Sequence, residues 1–153
     1  PRYAHCRGTN DKFRLDVSGS DKSYGFSYQG KNDQLCVFEA PIDLLSFINL
    51  FLKNWDERSY LALGGVAYKA LQQFIEDHKG ISTIYLCLDN DEAGCIHLNK
   101  EIPEDMKVLR MKPPVKDWNE LLIQREQIDR KDWFVLSDLR ERTDAGEFVP
   151  MIA

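Results

Sequence analysis

Three acidic residues could do chemistry in this sequence. Glu39 directly follows the apolar run Leu35-Cys36-Val37-Phe38, and Asp89 and Asp91 follow the run Thr83-Ile84-Tyr85-Leu86-Cys87-Leu88. Past a strand end, alternate residues point the same way, so the D-x-D spacing lets Asp89 and Asp91 reach one cation. Mg²⁺ prefers oxygen ligands and keeps several waters, so two or three carboxylates suffice, with Mn²⁺ as a possible substitute. A metal so held offsets charge on a transferring phosphoryl group. Converging carboxylates also raise the pKa of at least one member, and a Glu39 raised in this way suits general acid or base work. Gly94 leaves room for a phosphate or the backbone where a new helix opens. A second reading stays open for Asp91 and Glu92, which also suit the first turn of a helix as acids favoured by its dipole.

These residues need a scaffold that brings two strand ends together. Leu35–Phe38 reads as a buried parallel strand, and Pro41 suits the first turn of a helix over Ile42–Lys53 with Leu44, Leu45, Ile48 and Leu52 inward. Tyr60–Leu63 is a second strand, stopped by Gly64-Gly65, and Val66–His78 a helix with Leu71, Phe74 and Ile75 inward and Gly80 at its end. Thr83–Leu88 is a third strand, Glu92–Glu101 a short helix, and Lys107–Met111 a fourth strand. Asp117–Gln124 reads as a helix with Asp117 at the N-cap and Glu120 three residues later. Repeated strand–helix alternation predicts an α/β protein, a parallel sheet with helices on both faces. Sites in such sheets lie at the carboxyl ends of strands. For Glu39 to meet Asp89, strands one and three must be neighbours, which gives the order 2-1-3-4. Ahead of this, Phe13–Val17 alternates, as do Tyr24, Phe26 and Tyr28, and a pairing of the two makes a small N-terminal β element. The apolar Trp133–Leu136 lies in a tail to which the pattern assigns no element.

The 153 residues suit one domain, and 43% hydrophobic with 29% charged residues is ordinary for a globular protein. No apolar run reaches the ~20 residues of a membrane span. The chain opens Pro1-Arg2, from which we expect a piece of a longer protein. Cys6, Cys36, Cys87 and Cys95 form no C-x-x-C pair, so free thiols, a reducing cytoplasm and no zinc are expected. Net charge is −5, which argues against a generic electrostatic DNA binder. Its distribution is uneven. Residues 1–31 carry six Lys/Arg against three acids, and the remainder 14 against 22. The N-terminal segment could therefore face phosphates while the body holds a cation, or could simply be a solvated basic stretch.

Phosphatases of the haloacid-dehalogenase type place D-x-D-x-T/V after the first strand. Here D-x-D follows the third and lacks that Thr, which counts against a nucleophilic aspartate. Taken together, Val37-Phe38-Glu39-Ala40-Pro41-Ile42-Asp43-Leu44-Leu45-Ser46, Leu63-Gly64-Gly65 and Leu88-Asp89-Asn90-Asp91-Glu92-Ala93-Gly94 resemble the Toprim domain, shared by bacterial primases, topoisomerases and some nucleases and repair proteins. Within it, the chain looks most like the primase-like domains of conjugative and mobile elements. Gly19-Ser20-Asp21-Lys22-Ser23-Tyr24-Gly25-Phe26 is similar to the glycine-phenylalanine strand preceding Toprim in primases, and Lys116-Asp117-Trp118-Asn119-Glu120 to the K-D-x-N segment following its fourth strand.

The resemblance implies a three-layer, Rossmann-like Toprim fold over residues 34–125, with an N-terminal β element over 1–33 and a C-terminal extension over 126–153. It implies Glu39 as general acid/base, Asp89 and Asp91 as metal ligands with Glu39, and Lys116 as a phosphate or metal-site contact. Gly64, Gly65, Gly94 and Lys22 are the expected points of phosphate or nucleic-acid approach. Asp43, Asp117 and Asn119 are possible members, which also read as a first-turn acid, an N-cap and a helix-surface residue. The implied partners are single-stranded DNA and nucleoside triphosphates, and the implied activity is Mg²⁺-dependent nucleotidyl transfer of the DNA primase kind. The alternatives are metal-dependent strand cleavage, as in a nuclease or topoisomerase, and a non-catalytic module binding nucleic acid or protein. Primases carry an arginine soon after the Gly-Phe strand, where this sequence offers only Lys31.

Overall fold

The structure is a computed structural model that describes residues 2–8, 12–64, 68–90 and 98–139. Its strands are β1 (His5–Arg7), β2 (Arg14–Asp16), β3 (Phe26–Tyr28), β4 (Gln34–Phe38), β5 (Ser59–Ala62), β6 (Thr83–Leu86), β7 (Lys107–Lys112) and β8 (Val135–Asp138). The helices are α1 (Pro41–Leu50), α2 (Tyr68–Asp77) and α3 (Trp118–Gln124), and residues 98–101 are also helical.

Six strands form one sheet in the order β3-β5-β4-β6-β7-β8. Its middle four, β5-β4-β6-β7, are parallel and in the expected order 2-1-3-4. The two outer strands are antiparallel additions: β3 pairs with β5, and β8 pairs with β7. Thus Val135–Asp138, in the unassigned tail, forms an edge of the sheet.

Period-two patterning explains the layers. Along β4, Leu35 and Val37 join the core on the α2 face, while Cys36 and Phe38 join the core on the α1/α3 face. All four are fully buried, which is why this strand reads as a continuous apolar run. Each apolar side chain so buried contributes roughly 1.5–3 kcal/mol. Trp118 and Phe47 meet edge-on at 4.9 Å between ring centres and lock α3 to α1. Trp118 is fully buried and belongs to the core.

Two expectations are corrected. Phe13–Val17 does not pair with the strand around Phe26; β2 pairs with β1 in a separate two-stranded ribbon, while β3 joins the main sheet. Tyr28 on β3 packs against Trp55 and Tyr60, which anchors β3 to the main sheet. The inner stripe of α1 is also different. Leu45 and Leu52 are 51% and 61% exposed, and Asp43, Leu44, Ser46, Phe47 and Leu50 are buried instead. The helix ends at Leu50, so the helical period does not reach Leu52, and polar partners on α3 draw Asp43 and Ser46 inward.

Candidate active site

The chain runs from β4 through α1 to β5 on one side, then through α2 to β6 on the other side of β4. The direction of winding therefore reverses between β4 and β6, where α/β sheets open a crevice at the strand ends. Glu39 sits at the end of β4. The Gly64 amide donates to its carbonyl at 3.0 Å, which extends the β4–β5 pairing through the site residue. Beyond β6 the Cys87 amide donates to Val37 O at 2.8 Å, so the segment carrying Asp89 leaves alongside the one carrying Glu39.

Asn90 N donates to Lys116 O at 2.8 Å, tying the Asp89 segment to the stretch ahead of α3. Asp117 caps α3, accepting from Glu120 N at 2.7 Å, while the Glu120 carboxylate reaches back to Lys116 N at 3.3 Å. Lys116 Nζ is well exposed and 3.9 Å from Asp117 Oδ2. Asn119 bridges two helices: its amide donates to Asp43 Oδ1 at 3.2 Å and its side-chain oxygen accepts from Ser46 Oγ at 3.3 Å. It is half-buried, lines a cleft and links the two helices.

Glu39, Asp43, Gly64, Asp89, Lys116, Asp117 and Asn119 line one cleft of about 440 Å³. Asp43 is only 5% exposed, and its carboxyl is pushed up to about 6, first by burial and then by the negative charge of Asp89. The β1–β2 ribbon also lines this cleft, with His5, Arg7 and Arg14. Arg7 and Arg14 are directly opposed across the ribbon. Arg7 is close enough to Asp43 for its charge to favour the carboxylate.

Asp16 fixes that ribbon. It accepts from Tyr3 Oη at 2.9 Å, contacts His5 Nδ1 at 2.9 Å, and pairs with Lys22 Nζ at 3.0 Å. The His5 bond first, then Lys22 and Tyr3, hold its carboxyl well below the usual range. Lys22 is spent on this pair and is not among the residues lining the cleft. Gly64 lines the cleft at φ +69°, and a Cβ there would come within 2.6 Å of Tyr3 Oη. Gly64 therefore gives the ribbon a close seat on the sheet.

Asp91, Gly65 and Gly94 lie outside the described residues. Among the described residues, no group of three His, Cys, Asp or Glu side chains could hold a metal ion. Glu39 and Asp89 are two hard oxygen donors at one cleft, a set that fits Mg²⁺ completed by water or a further carboxylate. The sequence pattern does not single out Arg7, Arg14 or the buried Arg110 as site residues, and it offers His5 only with Cys6, as half of a metal site. The excess of Lys and Arg over 1–31 signalled Arg7 and Arg14 as a region only. Arg110 left one signal, a charged residue among the apolar Val108, Leu109 and Met111.

A mostly parallel α/β/α sheet with carboxylates at the switch point defines a class of phosphate-handling folds. The family model described as Toprim-like matches residues 36–122, and the chain belongs to that family. The uncharacterized MG010 homolog of Mycoplasma pneumoniae is 31% identical over 99 residues, 61% of this chain and 44% of that protein. The primase fragment of the bacteriophage T7 primase-helicase protein superposes with a TM-score of 0.62 at 25% identity, covering 81% of this chain and 53% of the fragment. A chain from the T7 lagging-strand DNA polymerase complex with primase domains of two gp4 subunits, bound to an RNA/DNA hybrid and dTTP, gives the same TM-score at 22% identity. It covers 81% of this chain and 65% of that one, a likeness of fold. The chain thus spans less than half of the Mycoplasma protein and less than two thirds of each T7 chain. Among the described residues no helix is long and apolar enough to cross a membrane.

Proposed function

We propose that this chain carries a Mg²⁺-dependent nucleotidyl-transfer site of the DNA primase kind, acting on single-stranded DNA and nucleoside triphosphates. The observation that carries the reading is that acidic and basic side chains from separate elements line one cleft. Carboxylates at the ends of two neighbouring parallel strands, Glu39 and Asp89, share this cleft with basic side chains of a ribbon, Arg7 and Arg14. Asp89 and Glu39 would hold the metal, with Asp91 joining them by its D-x-D spacing. When bound, Mg²⁺ would offset the charge that builds on the transferring phosphoryl group.

The remaining work falls to the chain. Glu39 accepts the proton of the attacking hydroxyl as general base. Arg7, Arg14 and Lys116 orient phosphates by charge-assisted hydrogen bonds. Asp117 and Asn119 keep the wall around Asp43 and Lys116 in place. The proposed unit is residues 34–125, with the flanking segments adding β3, β8 and the ribbon. Cys6, Cys36 and Cys87 are free thiols, which supports work in a reducing cytoplasm.

The test uses the full-length protein. Mg²⁺ or Mn²⁺ should raise its Tm and support primer synthesis on single-stranded template, and Glu39→Gln or Asp89→Asn should abolish both effects. Failure of the wild type to synthesise under any metal sinks the reading. Cleavage of labelled DNA without nucleoside triphosphates would replace it with the strand-cleaving alternative.

A further inference from the structure

Arg110 is the one described arginine in the buried core, 6% exposed in the middle of β7. A buried guanidinium needs compensation, since an unpaired charge in the interior is very costly. Among the described residues it forms no ion pair. Main-chain carbonyls take its protons instead. One terminal nitrogen donates to Leu86 O at 2.8 Å, Leu88 O at 2.9 Å and Met111 O at 3.1 Å, and the other donates to Asp89 O at 2.7 Å.

Three of these four carbonyls belong to the segment that leaves β6 and ends in Asp89. That segment has outrun the β6–β7 pairing, which stops at Leu86 opposite Arg110 itself. Leu88 and Asp89 lie beyond that pairing, and the planar fork of an arginine is suited to collecting several carbonyls at fixed angles. On the other side the same segment is held by Cys87 N to Val37 O and by Trp118 Nε1 to Cys87 O at 2.7 Å.

We infer that Arg110 is a positioning residue for the Asp89 carboxylate: by binding the carbonyls of Leu86, Leu88 and Asp89 it fixes the backbone that carries Asp89 at the cleft Glu39 also lines. The inference rests on the proposed metal site for its functional half, while its structural half stands alone. An ordinary core residue in this position would add burial; Arg110 sets the direction of the site segment. Met matches its length without charge or donors. Lys keeps the charge but concentrates its donors at one point.

The experiment compares wild type, Arg110→Lys and Arg110→Met in two arms. In EDTA, amide hydrogen exchange is read at Asn90 and Cys87, with β4 amides as the internal standard. In the second arm, Mg²⁺ affinity is titrated by calorimetry. Arg110→Met should speed exchange at Asn90 at least tenfold with β4 unchanged, and weaken Mg²⁺ binding at least tenfold. Arg110→Lys should fold and fall between, which keeps the test decisive should the Met variant fail to fold. Wild-type exchange at Asn90 in a folded variant overturns the inference, and so does loosened exchange with undiminished Mg²⁺ affinity. A wild-type protein that takes up no Mg²⁺ overturns the proposed function, and the EDTA arm then decides separately whether Arg110 fixes the segment.

Discussion

The Asn119 amide donates to Asp43 Oδ1 at 3.2 Å and so joins the first turn of α3 to the first turn of α1. This bond lowers the pKa of Asp43, but burial and the charge of Asp89 outweigh it, and the carboxyl ends near 6 instead of 3.8. Between these values the folded chain holds more protons than the unfolded chain. Stability must therefore fall as pH rises from about 4 to about 6, by on the order of 2–3 kcal/mol, and stay lower above that window. Urea unfolding in EDTA across pH 4–8 should show this slope. Asp43→Asn keeps the acceptor for Asn119 and should flatten the slope and raise stability at pH 7.5. A wild-type profile unchanged by the substitution would contradict the assignment.

Trp118 lies in the core and touches the support of the site. Its Nε1 donates to Cys87 O at 2.7 Å, two residues before Asp89, and its ring packs edge-on against Phe47. Trp118→Phe keeps an aromatic ring but leaves that buried carbonyl without its donor and opens a void. The expected loss is about 2–3 kcal/mol in denaturant unfolding, with unchanged m. Faster amide exchange at Asn90 should accompany it.

Much of this arrangement was legible in the sequence, and for a physical reason. Continuous apolar runs such as Leu35–Phe38 mark strands buried on both faces, and the acids that end such runs stand out against them. The order 2-1-3-4 followed from requiring Glu39 and Asp89 to meet, and the structure has it. Short edge elements were harder. Phe13, Leu15 and Val17 alternate as a strand should, but all three are exposed, and no core burial selected a partner for them. Their pairing with β1 depends on Asp16 bridging Tyr3, His5 and Lys22, a set of contacts that leaves no period in the sequence. The inner face of α1 was misjudged because Asp43 and Ser46 are buried through polar contacts to Asn119, which hydrophobic periodicity cannot register.

Gly64 combines two requirements that one substitution can separate. Its φ of +69° is costly for any residue with a Cβ, and that Cβ would also meet Tyr3 Oη at 2.6 Å. The backbone part costs about 1–2 kcal/mol. The contact part can be relieved by movement of Tyr3, at the expense of its bond to Asp16. Gly64→Ala should therefore lower stability and loosen the ribbon. Adding Tyr3→Phe to Gly64→Ala should lower stability by less than Tyr3→Phe does in the wild-type background, a coupling read from a double-mutant cycle. Additive effects would show that Tyr3 does not rest on Gly64.

The two guanidiniums opposed across the ribbon, Arg7 and Arg14, make a prediction that does not need the metal. If each meets one phosphate of a single strand, binding releases counterions in proportion. The slope of log K against log salt should then become shallower by roughly 0.7 for each arginine lost. Arg7→Gln and Arg14→Gln, alone and together, should show steps of this size in fluorescence-anisotropy titrations of labelled oligothymidine in EDTA, while Lys53→Gln, on a surface away from the cleft, should show none. The same variants titrated with a nucleoside triphosphate in place of DNA distinguish the two phosphate sources. Weakened triphosphate binding with an unchanged DNA salt slope would assign the pair to the nucleotide. An unchanged slope together with unchanged triphosphate affinity would remove Arg7 and Arg14 from the phosphate-binding wall.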